Sequence, residues 1–225
     1  MKKLGIGIMM VLLGMGMAFA IQPAQSWTQI SSGFYNSSPA ANLTTQGGNV
    51  TAANIAGNVS TAKWAGFYGN VSAGIVLTPG GLTNIFYKWA WDPATNGGRL
   101  CVTPGTAFDW TTVAVAAAAD IDTVWTFTGT DSAVNTLNDT CGSMTVASTD
   151  VSGAPATYTG SPADAFQTCA IADSATPGTK ADFAFCNVIV SSTDFKGETS
   201  NYELIVPTDK TPGNLETYYA WLELD

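Results

Sequence analysis

Carboxylates are the side chains of this sequence that could build an active site. The chain of 225 residues has 17 Asp and Glu and no histidine, so a serine or cysteine nucleophile activated by histidine cannot form. Asp120 and Asp122 could face a sugar as the two acids of a glycosidase do. Glu198 and Glu203 flank a predicted turn and form a second pair. Seventeen acids will form some close pair by chance, so we interpret both pairs as surface carboxylates and predict a protein that is not an enzyme.

Two loops rich in Asp and Asn are the places where a metal ion could bind, because Ca²⁺ takes clustered oxygen ligands. The sequence has no histidine, and its cysteine spacings match no zinc or haem motif. Neither loop has the spacing of an EF-hand. We therefore predict no cofactor and no metal ligand, with calcium left open at these loops. The oxygen-bearing residues are Asp92 and Asn96 in the first loop, and Asp131, Asn135, Asn138 and Asp139 in the second.

Four cysteines predict two disulfides if the chain is exported. They are Cys101, Cys141, Cys169 and Cys186. The stretches FQTCAIAD and DFAFCNVIV flank a Pro/Gly turn and would form neighbouring antiparallel strands. This arrangement favours a bond between Cys169 and Cys186, which leaves Cys101 to pair with Cys141.

Six N-x-S/T sequons predict N-linked glycans. They lie at Asn36, Asn42, Asn49, Asn58, Asn70 and Asn138. Five of the six fall in a segment, residues 21–87, whose one charged side chain is Lys63, whereas all 17 carboxylates follow from Asp92 onwards. Sugars would keep such a neutral surface soluble.

Clustered aromatic residues could form a platform on which sugar rings stack. Rings on strands more often belong to a core or to a subunit contact, and these interpretations remain open here. The residues concerned are Trp64, Tyr68, Tyr87, Trp89 and Trp91.

The N-terminus reads as a secretory signal peptide over residues 1–20, because two lysines precede an apolar run that ends in Ala18-Phe19-Ala20. An uncleaved membrane anchor is the alternative. Cleavage removes 2 of the 8 basic residues and leaves 6 against 17 acids, a net charge of −11. Such a charge disfavours nucleic acid as a partner.

Residues 21–46 form an uncharged arm, and residues 47–225 are predicted to form a single domain. The arm carries Trp27, Ile30, Phe34 and Tyr35, which a disordered tail would rarely contain. We predict that these residues contact another subunit, with the arm inserting as an added strand. The alternative is that the arm folds back and completes the sheet of its own domain.

Trp64 to Leu77 is predicted to be the central strand pair, because every second residue from Ala65 onwards is apolar or glycine. Residues 47–58 read as a first strand, and a series of short strands separated by Gly, Pro and Asp turns follows. We predict a helix over residues 111–119 capped by Asp109, a strand over 122–129 and a helical turn over 131–137. The rhythm indicates an all-β fold, a β-sandwich or jelly roll with one or two short helices.

The stretch WAGFYGNVS, with FYKWAWDP and the terminal YELIVP and TYYAWLELD, resembles a family of secreted, β-rich surface proteins of archaea and thermophiles. The resemblance implies a fold and a location, since that family has no established activity. With the absent catalytic chemistry and the uncharged arm, it predicts a structural subunit that assembles with itself into an extracellular filament, pilus-like thread or surface coat. No membrane contact is expected after signal cleavage. The alternative is a secreted carbohydrate-binding or adhesive module.

Overall fold

Short strands make up most of the regular structure in the computed structural model, which describes residues 21–33, 42–159, 165–211 and 214–225. The strands of these residues are Gln22–Pro23 (β1), Trp64–Gly69 (β2), Ile75–Leu77 (β3), Tyr87–Trp89 (β4), Gly98–Thr103 (β5), Ala114–Val115 (β6), Asp139–Thr140 (β7), Thr145–Val146 (β8), Thr149–Asp150 (β9), Pro155–Thr159 (β10), Phe166–Ala172 (β11), Phe183–Val188 (β12), Ser192–Thr193 (β13), Thr199–Ser200 (β14), Tyr202–Pro207 (β15) and Tyr219–Leu224 (β16). The helical segments are Ala118–Trp125 (α1), Ala133–Thr136 (α2) and a 3₁₀ turn at Lys180–Asp182. The prediction of an all-β fold with one or two short helices is confirmed.

Eight of these strands form one antiparallel sheet in the order β1-β16-β5-β12-β11-β10-β7, with β6 on the same edge of β11 as β10. The central strands are β5, β12 and β11, which are buried along almost their whole length. Apolar residues follow one another in β11 and β12, as is expected of strands covered on both faces. Gly98 begins β5 at a φ of 143°, and a side chain there would collide with the carbonyl of Glu223 on β16.

Each face of the large sheet is covered by a separate apolar cluster. On the first face, side chains such as Val102 and Phe185 pack against β15, β2 and the helix α1. On the second face, Ile171 and the half-cystines pack against loop residues such as Val113 and Met144. The large sheet is therefore the middle layer of the domain.

The predicted central strand pair lies at the side of the fold, and that prediction is wrong. Strand β2 pairs with β15, while β3 pairs with β4 in a separate hairpin. Trp64, at the start of β2, is buried, since its ring packs on Phe127 at 5.8 Å and its Nε1 donates to the carbonyl of Asp131 at 2.8 Å. The centre of the fold is occupied instead by β5, β11 and β12, which have no polar face.

The helix α1 replaces the first half of the strand predicted over residues 122–129. Of the helix predicted over 111–119, Ala118 and Ala119 belong to α1 and the rest is a loop that contains β6. Ile121 and Trp125 are four residues apart, so in a helix they share one face, and both are buried against the sheet. Asp109 does not cap a helix and instead accepts a hydrogen bond from the Thr111 amide at 2.9 Å in a turn. The helical turn predicted over 131–137 is present as α2, with Ser132 at its N-cap.

The four cysteines form two disulfides as predicted, but the predicted pairing is wrong. The bonds join Cys101 to Cys186 and Cys141 to Cys169. Strands β11 and β12 are antiparallel neighbours with Cys169 opposite Cys186, as predicted. Cys186 also lies opposite Cys101 on β5, however, and bonds to that neighbour instead.

The start of the arm folds back onto its own domain, which is the alternative to insertion into another subunit. Ile21 is buried, and β1 pairs with β16 at Leu222 and Trp221. Residues 47–58, predicted as the first strand, begin with a turn at Gly47 and Gly48, are exposed, and belong to no sheet of the described residues. The signal peptide, residues 1–20, lies outside the described residues. Across those residues, no helix has the length and apolar character needed to cross a membrane.

Candidate assembly surface

The two predicted acid pairs do not form a shared site. Asp120 and Asp122 lie in the helix α1, where residues two apart point in different directions. Asp122 instead accepts hydrogen bonds from the amides of Ala133 and Val134, at 2.5 and 3.2 Å, and so caps the first turn of α2. Its charge is well placed there, since carboxylates stabilise helix N-termini.

The two acids of the second pair, Glu198 and Glu203, differ in their exposure to solvent. Glu203 is buried and accepts a hydrogen bond from the Phe195 amide at 2.6 Å, whereas Glu198 is exposed. Asp194 is buried nearby and accepts hydrogen bonds from two amides and the Ser200 hydroxyl. These carboxylates hold the loop between β13 and β14 in place, which is a structural use of their charge.

The loops considered for calcium use their oxygens to hold turns. Asp92 accepts a hydrogen bond from the Ala94 amide at 2.7 Å, and Asn96 accepts one from the Asp92 amide at 3.0 Å. In the second loop, Asp131 forms an ion pair with Lys63 at 2.5 Å. In the part of the chain that the structure describes, no group of three or more His, Cys, Asp or Glu residues is arranged to hold a metal ion.

The five aromatic residues of the predicted platform are dispersed. Trp64 belongs to the core, and Trp91 is half-buried with its Nε1 donating to the carbonyl of Gly97 at 2.8 Å. Tyr87 and Trp89 remain together on β4, with ring centroids 4.8 Å apart and an angle of 69° between the rings. The platform therefore reduces to two exposed rings that do not share a plane.

Tyr68 belongs to a different surface cluster, which the sequence analysis missed. Its ring contacts Phe195 edge-on with centroids 4.9 Å apart, and Lys196 Nζ lies 4.7 Å from its centroid. Lys196 also donates to the Tyr68 hydroxyl at 2.5 Å. This hydrogen bond, with a smaller contribution from Ser31, lowers the pKa of Tyr68. Tyr68 lies on β2, whereas Phe195 and Lys196 lie together in the loop between β13 and β14, so no local motif joins Tyr68 to the other two.

The hairpin of β3 and β4 is an exposed apolar element. Its large hydrophobic side chains are exposed on both faces, Phe86 at 81%, and they are Leu77, Leu82, Ile85, Phe86, Tyr87 and Trp89. Trp91 at its base packs against the core, as does Val71, whose amide donates to Asn201 Oδ1 at 3.0 Å. The hairpin is thus fixed at both ends while its middle presents an apolar surface to solvent. Apolar residues on both faces of the stretch NIFYKW were a signal of this in the sequence.

A second exposed element, residues 42–62, contains no charged side chain and is exposed throughout. Its aliphatic residues include Val50, Ile55 and Val59, which are 96%, 98% and 95% exposed. Single exposed aliphatic residues are common on protein surfaces, but a run of them on an uncharged segment is unusual.

The described sequon asparagines all lie on the surface. They are Asn42, Asn49, Asn58, Asn70 and Asn138, each with an exposed side chain. Asn36 lies outside the described residues. Exposure is a requirement for glycosylation, so each of these five asparagines is accessible for the modification.

The four arm residues predicted to contact another subunit differ in where they lie. Trp27 packs on its own domain, with its ring 4.6 Å from that of Phe67 and its Nε1 donating to the Tyr202 hydroxyl at 3.2 Å. Ile30 is 97% exposed. Phe34 and Tyr35 lie outside the described residues, so their role in a contact stays a prediction.

Comparison with known proteins adds no relative to this description. The chain matches no protein-family model, no curated protein and no solved structure. The resemblance to secreted surface proteins therefore stays a prediction.

Proposed function

We propose that this protein is a non-catalytic structural subunit that assembles with itself into an extracellular filament, thread or surface coat. The observation that carries the proposal is the β3–β4 hairpin, which is anchored at its base and exposes six large hydrophobic side chains. Contiguous apolar patches on a folded surface mark contact sites for proteins or membranes. A homomeric contact would bury this surface.

Export supports the same proposal. Two disulfides are typical of proteins that fold in an oxidising compartment. The exposed sequons are suited to N-linked glycans, and we expect glycopeptides from native material to contain Asn42, Asn49, Asn58 or Asn70. A secreted protein stays at the cell surface when it binds to itself or to a surface component.

The test is the size of the mature protein, residues 21–225, measured by gel filtration and sedimentation velocity. We expect assemblies of megadalton mass that negative-stain microscopy shows as threads or sheets. Phe86→Asp should reduce assembly, because a carboxylate would be buried in the contact. The matched control is Val134→Asp, a similar change at an exposed position on α2. A mature protein that remains at the monomer mass at high concentration would falsify the proposal.

A carbohydrate-binding or adhesive module is the second candidate, and the adjacent rings of Tyr87 and Trp89 favour it. Stacking of a sugar on an exposed ring needs no charged partner, so the hairpin could serve it. A module of this kind elutes near its formula mass and is retarded on a polysaccharide matrix. Loss of the retardation in Trp89→Ala, with the monomer mass unchanged, would favour this function over assembly.

A further inference from the structure

Residues 51–61, here called the donor segment, have the pattern of a strand. Odd-numbered positions carry Ala53, Ile55, Gly57 and Val59, and the even-numbered positions between them carry Ala52, Asn54, Ala56 and Asn58. In an extended chain the two sets face opposite sides. Ile55 and Val59 therefore share one face, and the sequon at Asn58 points away from it. A glycan on Asn58 would leave the aliphatic face free.

A groove on the second face of the large sheet is the surface that matches the donor segment. Its floor is a row of side chains at one register level across four adjacent strands, Tyr158, Gln167, Val188 and Arg99. Tyr158 and Val188 are each 40% exposed. The groove consists of a smaller cleft of about 150 Å³ near Tyr158 and a wider one of about 380 Å³ near Arg99. Val188 and Met144 line both clefts and separate them.

The groove has no net charge, and the donor segment has no charged side chain. Arg99 forms an ion pair with Asp225, and the remaining lining residues of both clefts are uncharged. This neutrality is notable in a chain with a net charge of −9. Thr95, Asn96 and Ser191 line the wider cleft and can form hydrogen bonds with the backbone of an extended peptide.

The spacing of the two clefts matches that of the two aliphatic side chains. Tyr158 and Arg99 are three strand intervals apart, or about 14 Å at a separation of about 4.8 Å. Ile55 and Val59 are four residues apart, or about 13 Å in an extended chain. Gly57 lies midway between them and has no side chain to collide with Val188.

We propose that the donor segment of one copy binds in this groove of a second copy, with Ile55 and Val59 in the two clefts and Gly57 over Val188. The proposal rests on the proposed function and adds a second contact between subunits, separate from that of the β3–β4 hairpin. It assigns the donated segment to residues 51–61 rather than to residues 21–46, whose start is occupied on its own domain. Since the segment and the groove are different surfaces, the contact is head-to-tail and propagates as a filament unless the rotation closes a ring.

The test uses the mature protein with substitutions on each side of the contact. Ile55→Asp should weaken association by about fiftyfold or more, because the contact of a buried aliphatic side chain is lost and a carboxylate would lose its hydration in the contact. Ala56→Asp is the matched control, since it adds the same charge one residue along on the outward face, and it should assemble like the wild type. Both positions are exposed in the monomer, so neither change should alter the unfolding temperature.

A mixing experiment tests the head-to-tail geometry. Val188→Arg should block the groove but leave its own donor segment intact, whereas Ile55→Asp has the reverse defect. With Phe86→Asp added to both variants to remove the hairpin contact, each alone should sediment as a monomer, and an equimolar mixture should form dimers and stop there. Unfolding curves and intact disulfides verify that Val188→Arg is folded.

The outcomes separate this inference from the proposed function. If the wild type assembles and Ile55→Asp assembles equally well, or if Ala56→Asp is equally defective, the donor segment is not the contact and only this inference is overturned. If the mixture of defective variants stays monomeric, the assigned groove is wrong. A wild-type protein that never leaves the monomer mass overturns the proposed function and this inference together.

Discussion

Replacing Cys101 with alanine is expected to rearrange a disulfide as well as remove one. Cys101, Cys186 and Cys169 lie opposite one another in three adjacent strands, so Cys186 has a half-cystine on either side. In Cys101→Ala the Cys186 thiol is free beside the bond between Cys141 and Cys169. Attack by the Cys186 thiolate on Cys169 Sγ forms a new bond between these two residues and releases Cys141 as a thiolate.

The size of the effect follows from the lengths of the closed loops. The bond between Cys101 and Cys186 spans 85 residues, and the chain-entropy relation gives a loss of about 4.6 kcal/mol in the free energy of unfolding when it is removed. The remaining bond spans 28 residues, worth about 3.6 kcal/mol. The rearranged bond would span 186 − 169 = 17 residues, worth about 3.1 kcal/mol. The rearranged molecule would therefore be about 0.5 kcal/mol less stable to unfolding than the molecule that keeps the bond of 28 residues.

The assay is alkylation of the free thiol followed by non-reducing peptide mapping. Cys101→Ala is incubated at pH 8.5 with a trace of glutathione, which permits exchange, and is then labelled. We expect label on both Cys186 and Cys141, because the exchange leaves one or the other as the free thiol. The double variant Cys101→Ala, Cys186→Ala is the matched control, because it loses the same bond and has no free thiol. Label on Cys186 alone, after the exchange has reached equilibrium, would refute the reasoning from strand register.

Three further predictions concern the core, the hairpin and the response to pH. Trp125→Ala should lower the free energy of unfolding by about 3–5 kcal/mol in denaturant titrations, because the ring is buried, and a loss below about 1 kcal/mol would contradict its place in the core. The double variant Tyr87→Ala, Trp89→Ala should leave that free energy nearly unchanged while reducing assembly, and equal assembly would exclude these rings from the contact. The ion pair with Lys180 lowers the pKa of Asp209, so its contribution to stability is present above about pH 4 and is lost as the pH falls through the lowered pKa; Asp209→Asn should flatten this acid dependence, and an unchanged curve would exclude the pair as its source.

The strands that could be predicted from the sequence are those in which a continuous run of apolar side chains requires burial. The stretches that became β11 and β12 are apolar runs joined by a turn, and the sequence predicted them as neighbouring antiparallel strands. Their order in the sheet was accessible only where a short turn joins two neighbours, as between β11 and β12. The pairing of β5 with β12 and β16 depends on contacts between distant parts of the chain, which local patterns do not report.

The errors around residues 111–129 have a different cause. Alanine and valine are compatible with either helix or strand, so the pattern of residues 111–119 left the structure undetermined. In residues 122–129 the alternation of polar and apolar side chains favours a strand, yet Trp125 and Ile121 are buried together on one helical face. The contact of the Trp125 ring with Phe183 and Phe185 supplies this preference, and both residues are distant in sequence.

The prediction of a strand over residues 47–58 failed for a third reason. No helix and no other strand forms over these residues. After a turn at Gly47 and Gly48, the segment has no regular secondary structure, its aliphatic side chains are exposed, and it belongs to no sheet of the described residues. A strand requires a neighbour for its backbone hydrogen bonds and a surface for its apolar face, and neither is available within the described part of this chain. The same segment has no charge, so burial in a second copy would not require a carboxylate or an ammonium to lose its hydration. Residues 47–58 thus have the side-chain pattern of a strand, but nothing in the described part of their own chain covers their apolar face. This is the property expected of a segment that binds to another subunit.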